Sequence, residues 1–240
     1  WHLASPASPL HYQNNPIQTA KTNFIGTNNI LELAKKYNAK FLFTSTSEVY
    51  GNPEIYPQIE EYYGSVNPIG IRSCYNEGKR IAESLCFDYF RTHNLKISVA
   101  RVFNTYGPRM MPNDGRVVSN FISRALKNKT LNVTGNGNQT RAFCYIDDLI
   151  DALIKLMNSD YSGPINLGNP NCELSIYDLA NLIKNKLNPN IEIRKVPLPE
   201  NDPIKRKPDI NKAIKHLNWE PSTNLGEGLD KTIEYFRLMA

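Results

Sequence analysis

Apolar and polar positions follow two rhythms along this chain, and the switches between them outline its elements. After Pro16, the residues Ile17, Ala20, Phe24, Ile30, Leu31 and Ala34 recur at broadly helical spacing and predict a long amphipathic helix over 16–37. Phe41-Leu42-Phe43 is a continuous apolar run and predicts a buried strand over 40–45. The stretch from Gly51 to Ile71 is rich in Pro, Gly and Tyr, and reads as a loop. A second helix over 72–93 leads into a strand over 96–101. Helix–strand–helix–strand order predicts an α/β fold with a doubly wound parallel sheet.

Beyond Gly107 the pattern changes. It predicts a helix near 116–128, short strands near 131–134 and 142–145, and a helix from Asp147 to Met157. A strand over 164–167, a helix capped by Ser175, a strand over 191–197 and two closing helices complete the reading. The last helix carries Leu229, Ile233, Phe236 and Met239 on one stripe. The expected organisation is a partial Rossmann-like dinucleotide-binding domain over 1–107. A smaller mixed α/β lobe over 108–240 would bind substrate, with some of its elements returning to the first domain.

Composition narrows the function classes. A chain of 240 residues with 40% hydrophobic content can bury a sizeable core, and no apolar run reaches membrane-spanning length. The net charge of +5 is spread out, compatible with a phosphate-bearing ligand and too diffuse to argue for nucleic acid. Four cysteines and four histidines lack metal-ligand spacing, so no metal is expected. The cysteines read as reduced thiols, and the N-terminus lacks a basic-then-apolar signal; both favour a cytoplasmic location.

The candidate chemistry lies in two segments. Thr44-Ser45-Thr46-Ser47-Glu48-Val49-Tyr50-Gly51 sets hydroxyls and a carboxylate at a strand's carboxyl end, where open α/β sheets hold ligands. Tyr75-x-x-x-Lys79 puts a phenol and an ammonium on one helical face, and a neighbouring cation favours phenolate. Such a tyrosine could take a proton from an alcohol as hydride leaves its carbon. Chance alone yields about one Tyr-x-x-x-Lys in a chain of this composition, so the octapeptide before it carries the weight.

In this order and spacing, the two segments resemble the extended short-chain dehydrogenases that modify nucleotide sugars. The match continues through His2-Leu3-Ala4-Ser5-Pro6-Ala7-Ser8-Pro9 and Arg101-Val102-Phe103-Asn104-Thr105-Tyr106-Gly107-Pro108-Arg109. It extends through Asn113-Asp114-Gly115-Arg116-Val117-Val118-Ser119-Asn120-Phe121, Gly137-Asn138-Gln139-Thr140-Arg141-Ala142-Phe143 and Lys205-Arg206-Lys207-Pro208-Asp209-Ile210.

The resemblance implies NAD as cofactor, a UDP-sugar as substrate and a homodimer. It assigns catalytic roles to Thr46, Ser47, Glu48, Tyr75, Lys79 and Arg206. Thr46, Tyr75 and Lys79 would also contact the cofactor, with Leu3, Ala4, Ser5, Thr22 and Thr105. Ala7, Tyr12, Lys21, Asn104, Arg116 and Arg141 would grip the substrate, arginine suiting a diphosphate through its forked donors.

The implied reaction is decarboxylation of UDP-glucuronate to UDP-xylose through a 4-keto intermediate. A 4,6-dehydratase of the family carries Asp-Glu where this chain has Ser47-Glu48, and a 4-epimerase has small residues at both places. Those two activities and a non-catalytic nucleotide-sugar-binding module stand as alternatives. No G-x-G-x-x-G turn follows a strand, and Gly135-x-Gly137 lies too far downstream to replace it. By resemblance the chain starts at the end of a fourth sheet strand, with about eighty residues and the pyrophosphate turn upstream. On that reading the 240 residues alone would bind NAD poorly and be catalytically silent.

Overall fold

A computed structural model describes residues 1–200 and 202–239. The chain opens with helices α1 (Pro9–Asn14), α2 (Pro16–Lys21) and α3 (Thr27–Lys36), the last two joined by a π-helical turn over Thr22–Gly26. Strand β1 (Phe41–Thr46) runs into a 3₁₀ turn, Ser47–Tyr50, and the long helix α4 (Ser73–His93) follows. Then come β2 (Ile97–Val102), β3 (Thr105–Tyr106), α5 (Val117–Leu126), β4 (Leu131–Thr134), β5 (Thr140–Ala142), β6 (Cys144–Tyr145) and α6 (Ile146–Asn158). The remainder is β7 (Pro164–Leu167), β8 (Glu173–Ser175), α7 (Ile176–Leu187), β9 (Ile193–Val196), β10 (Lys205–Arg206), α8 (Asn211–Leu217) and α9 (Leu225–Leu238).

Strands β1, β2 and β7 form a parallel sheet in that order, with Phe41 opposite Ile97 and Val99 opposite Pro164. On the side of β1 away from β2, His2 adds a parallel bridge to Phe43. Side-chain alternation along the strands sets the layers. Phe41, Phe43, Ile97 and Val99 pack on Leu31 and Ala34 of α3 and on Ala82 and Cys86 of α4. Leu42, Ala100 and Ile165 turn the other way, onto Leu149, Ala152 and Leu156 of α6 and Ala213 and Leu217 of α8. Helices on both faces of a parallel sheet make the doubly wound arrangement that the sequence predicts. Each fully buried Leu, Ile, Val or Phe side chain in these layers contributes about 1.5–3 kcal/mol.

A second core gathers Phe121 and Ile122 of α5, Leu179 and Ile183 of α7, and Leu229, Ile233 and Phe236 of α9 around Leu131 and Val133. There β4 pairs in parallel with β9, while β5 lies between β8 and β10. Ser175 caps α7 as expected, its hydroxyl accepting from Asp178 N at 3.0 Å.

Three expectations need correction. The strand foreseen near 142–145 is two short strands, β5 and β6, bent apart at Phe143. The helix over 16–37 is interrupted by the π turn, which displaces its stripe. Its buried positions are Thr19, Asn23, Thr27, Leu31 and Ala34, while Ile17, Phe24 and Ile30 are exposed. Met239 lies past the end of α9 and is exposed as well.

Candidate active site

The site begins where β1 stops. Thr46 is the strand's last residue, and its hydroxyl accepts from Glu48 N at 3.2 Å, capping the 3₁₀ turn. That cap folds Ser47 and Glu48 back over the sheet edge, where both are buried. Gly51 ends the turn at φ 65°, and a Cβ there would come within 1.9 Å of Ser65 O, so a side chain cannot be accommodated. Beneath the turn, the Ser45 hydroxyl bonds to the Glu83 carboxylate, which also pairs with Arg101 at 2.7 Å. Arg101 donates to Tyr50 Oη at 3.0 Å, and that hydroxyl donates to Asn166 Oδ1 at 2.7 Å. This buried chain ties the ends of β1 and β2, the turn and β7 into one rigid base.

Helix α4 brings Tyr75 and Lys79 under the turn. Lys79 Nζ donates to Thr44 O at 2.8 Å and lies 4.6 Å from the centre of the Phe43 ring. Burial lowers its pKa to about 8. Tyr75 moves against expectation: burial is the largest influence and pushes its phenol up to about 12. A hydrogen bond with Thr46 and the charges of Arg116 and Arg206 pull the other way, while the Glu48 carboxylate adds to the rise. Lys79, expected to depress this phenol, spends its ammonium on Thr44 and sits 5.9 Å from the Tyr75 ring centre. The Tyr12 ring stacks flat on Tyr75, centroids 5.0 Å apart and planes 2° apart. The Tyr12 hydroxyl is buried and has no partner.

A cluster of arginines closes the other side. Glu48 Oε1 accepts from Arg72 Nη2 at 2.6 Å and from Arg206 Nη1 at 2.9 Å. Burial alone would raise the Glu48 pKa, yet Arg206, Arg72 and Arg141 together hold it down to about 2. Its second oxygen, Oε2, is buried without a partner, as is Arg206 Nη2. Asp202 bridges Arg72 at 3.1 Å and Arg141 at 2.9 Å. Burial and the nearby Arg206 charge lower Arg141 to about 10, so an anion placed against it would be favoured.

Of the residues singled out in the sequence, the structure thus brings together Thr46, Ser47, Glu48, Tyr75, Lys79, Arg206, Arg141 and Tyr12. Arg116 lies at the start of α5, half-exposed and paired with Asp114 at 3.3 Å, within electrostatic reach of Tyr75. Asn104 leaves its Nδ2 buried and unpartnered, and Thr105 turns its hydroxyl back to Phe103 O at 2.9 Å. Ser5 donates to Asn23 Oδ1 at 2.9 Å, and Thr22 accepts from Gln18 at 3.3 Å. Leu3, Ala4, Ala7 and Lys21 are exposed and outside the buried cluster.

Arg72 and Asp202 were not foreseen. Each is a single charged residue at the edge of a loop, and only Arg72's place three residues before Tyr75 offered any signal. A cavity of about 300 Å³ borders both, lined also by Ser73, Asn76, Leu198 and Ile204. Among the described residues no group of three His, Cys, Asp or Glu side chains could hold a metal.

Known proteins give this geometry its context. Residues 1–168 match the family model described as the NAD dependent epimerase/dehydratase family. The chain is 57% identical over 238 residues to UDP-glucuronic acid decarboxylase 5 of Arabidopsis thaliana, covering 99% of this chain and 70% of that protein. It is 57% identical to UDP-glucuronic acid decarboxylase 1 of Xenopus tropicalis, covering 99% of this chain and 56% of that one. Among solved structures, the UDP-glucose 4-epimerase of Thermotoga maritima with UDP-glucose superposes with a TM-score of 0.92 at 32% identity, over 99% of this chain and 76% of its own. The UDP-glucuronic acid 4-epimerase of Bacillus cereus, in complex with UDP-glucuronic acid and NAD, gives 0.90 at 27% identity over 100% of this chain and 75% of its own. The chain belongs to the NAD dependent epimerase/dehydratase family.

Proposed function

We propose that this protein converts UDP-glucuronate to UDP-xylose and carbon dioxide, using NAD that is regenerated within each turnover. The observation that carries the reading is the Ser47–Glu48 pair beside Tyr75. A 4,6-elimination needs an acid to protonate the departing 6-hydroxyl. Residue 47 is a serine, and Glu48 is held ionised by Arg206 and Arg72, so neither supplies that proton. Carbon dioxide needs no such acid to leave. The decarboxylase names of relatives at 57% identity over nearly the whole chain support the same choice.

NAD suits the residues present. Lys79 is buried with a single hydrogen bond among the described residues, to Thr44 O, which leaves two N–H donors for a ribose diol. Lys79 and Tyr75 would hold the nicotinamide ribose, with Leu3, Ala4, Ser5, Thr22 and Thr105 along the rest of the cofactor, which supplies a positively charged hydride acceptor for the sugar's C4. A carboxylate β to the resulting ketone loses carbon dioxide with its bonding electrons delocalised into the carbonyl.

Around that chemistry the protein's own groups manage protons and charge. Tyr75 Oη and Thr46 Oγ1 share the sugar's 4-oxygen, and Tyr75 takes its proton and later returns it. Glu48 Oε2 accepts a hydrogen bond from the bound sugar, and Ser47 faces the same end. Arg206 offers its unpartnered Nη2 to the C6 carboxylate and afterwards to the enolate, whose C5 takes from solvent the one proton that the net reaction consumes. Arg141 and Arg116 hold the diphosphate, with Asn104, Tyr12, Ala7 and Lys21 around the nucleotide sugar. Residues 1–107 would serve mainly the cofactor and 108–240 mainly the substrate, with β7 returning to the first sheet.

The protein is further read as a cytoplasmic homodimer. All four cysteines are free, and no described helix is long and apolar enough to cross a membrane. Incubation of the full-length, NAD-loaded protein with UDP-glucuronate, followed by mass spectrometry and NMR of the sugar, tests the reaction. UDP-xylose and an equivalent of carbon dioxide are expected without added reductant. UDP-galacturonate alone would make it a 4-epimerase, and a 4-keto-6-deoxy sugar from a neutral UDP-hexose would make it a dehydratase.

A further inference from the structure

We propose that Arg72 is a positioning residue of this site: it holds Glu48 by one oxygen so that the other stays free for substrate, and Asp202 anchors Arg72 in that pose. The inference rests on the reading of Glu48 given above and deepens it.

Two features of the contact support it. An arginine that merely neutralises a carboxylate commonly takes both oxygens in a fork. Here Arg72 and Arg206 both donate to Oε1, from Nη2 at 2.6 Å and Nη1 at 2.9 Å, and Oε2 is left buried with no partner. A buried acceptor without a donor is unfavourable, and a hydroxyl of a bound ligand would relieve it. Arg72 is also the residue on which α4 starts. Its carbonyl accepts from Tyr75 N at 3.1 Å and Asn76 N at 3.0 Å. One residue therefore fixes the helical turn carrying the phenol through its backbone and the carboxylate through its side chain. Arg72 is only 7% exposed, and the Asp202 carboxylate at 3.1 Å fills its remaining charged contact. Asp202 belongs to the segment before β10, and its other oxygen holds Arg141. The clamp thus joins α4, the 3₁₀ turn, β5 and the approach to β10.

The charged and titratable groups facing Glu48 are Arg72 before α4, Arg206 on β10, Arg141 on β5, Tyr75 on α4 and Tyr12 on α1. Removing Arg72 leaves a buried carboxylate with fewer cations, so its protonation moves to higher pH. The expected displacement is about 1–3 pH units.

The test uses the full-length, NAD-loaded protein with Arg72→Met, Arg72→Lys, Asp202→Asn, Glu48→Gln and the Arg72→Met/Glu48→Gln pair. Without substrate, carbon-13 NMR of δ-labelled glutamate, with the Glu48 resonance assigned from Glu48→Gln, reads the charge on that carboxylate directly. Arg72→Met should raise its titration midpoint by the amount above, with Arg72→Lys in between and Asp202→Asn smaller in the same direction. In turnover of UDP-glucuronate, Arg72→Met should lower kcat more than it raises KM and carry the acid limb upward with the NMR midpoint. Its loss should largely vanish in the Glu48→Gln background. An unmoved Glu48 midpoint in Arg72→Lys and Arg72→Met, or losses that multiply in the double variant, would overturn the proposal. If Arg72→Met does not fold, the Arg72→Lys and Asp202→Asn midpoints decide it by the same criterion. A wild-type protein that releases no carbon dioxide would defeat the decarboxylase reading alone, because the NMR titration needs no turnover.

Discussion

At the scale of single residues, Tyr75 shows how far local electrostatics departs from what spacing suggests. The Tyr-x-x-x-Lys pattern was legible, and both side chains do meet under the end of β1. The sign of the effect was not, because spacing reports adjacency and says nothing of burial, which here raises the phenol to about 12. Deprotonation of Tyr75 therefore depends on cations in the loaded site and on the Thr46 hydrogen bond. Tyr75→Phe keeps the ring stacked on Tyr12 and removes only the oxygen. It should lower kcat by about 10²–10⁴-fold while substrate affinity, read by calorimetry, stays within a few-fold. Turnover within about tenfold of wild type would remove Tyr75 from the role of base. Arg72 and Asp202 escaped the sequence for a different reason: an ion pair spanning 130 positions leaves no periodic trace.

At the scale of elements, strands β1, β2 and β7 were legible because each carries apolar residues packed between helices. Strands β3, β8 and β10 are two or three residues long, too short for any period to register. The π turn over Thr22–Gly26 was equally hidden, and it turns Asn23 inward against the bare backbone of Gly78, where a Cβ would meet Asn23 at 3.0 Å. The bridge between His2 and β1 makes a testable case. His2 N donates to Leu42 O at 2.8 Å, Thr44 N donates to His2 O at 3.2 Å, and the His2 ring stacks on Phe43. Burial first, and the Lys79 charge second, lower the His2 pKa from 6.5 to about 4. Between those values the unfolded segment binds a proton that the docked one refuses, so stability rises with pH and is lost as pH falls from 6.5 toward 4. Hydrogen exchange at Thr44 should lose roughly tenfold protection across that window in wild type. His2→Phe should flatten the dependence, and an unchanged slope in that variant would assign it to another group.

At the scale of the whole molecule, what the core leaves outside is as informative as what it takes in. The register imposed by the π turn buries Thr19, Asn23 and Thr27 and leaves Ile17, Phe24 and Ile25 on the surface. Leu33 on α3 and Ile81 on α4 are exposed too, and α4 packs beside α2, the π turn and α3. Large apolar side chains clustered on adjacent helices commonly mark an interaction surface. Two helices from each of two copies, related by a two-fold axis, would bury them in a four-helix bundle, since an isologous contact needs only one self-complementary surface. Helix α4 carries Tyr75 and Lys79 among its buried residues, so pairing would also stiffen the site. Sedimentation velocity at micromolar concentration should therefore find a dimer. Phe24→Glu combined with Ile81→Glu should split it into monomers whose far-ultraviolet circular dichroism matches that of wild type. A stable monomer in wild type would refute the pairing, and a dimer indifferent to both substitutions would place the contact elsewhere.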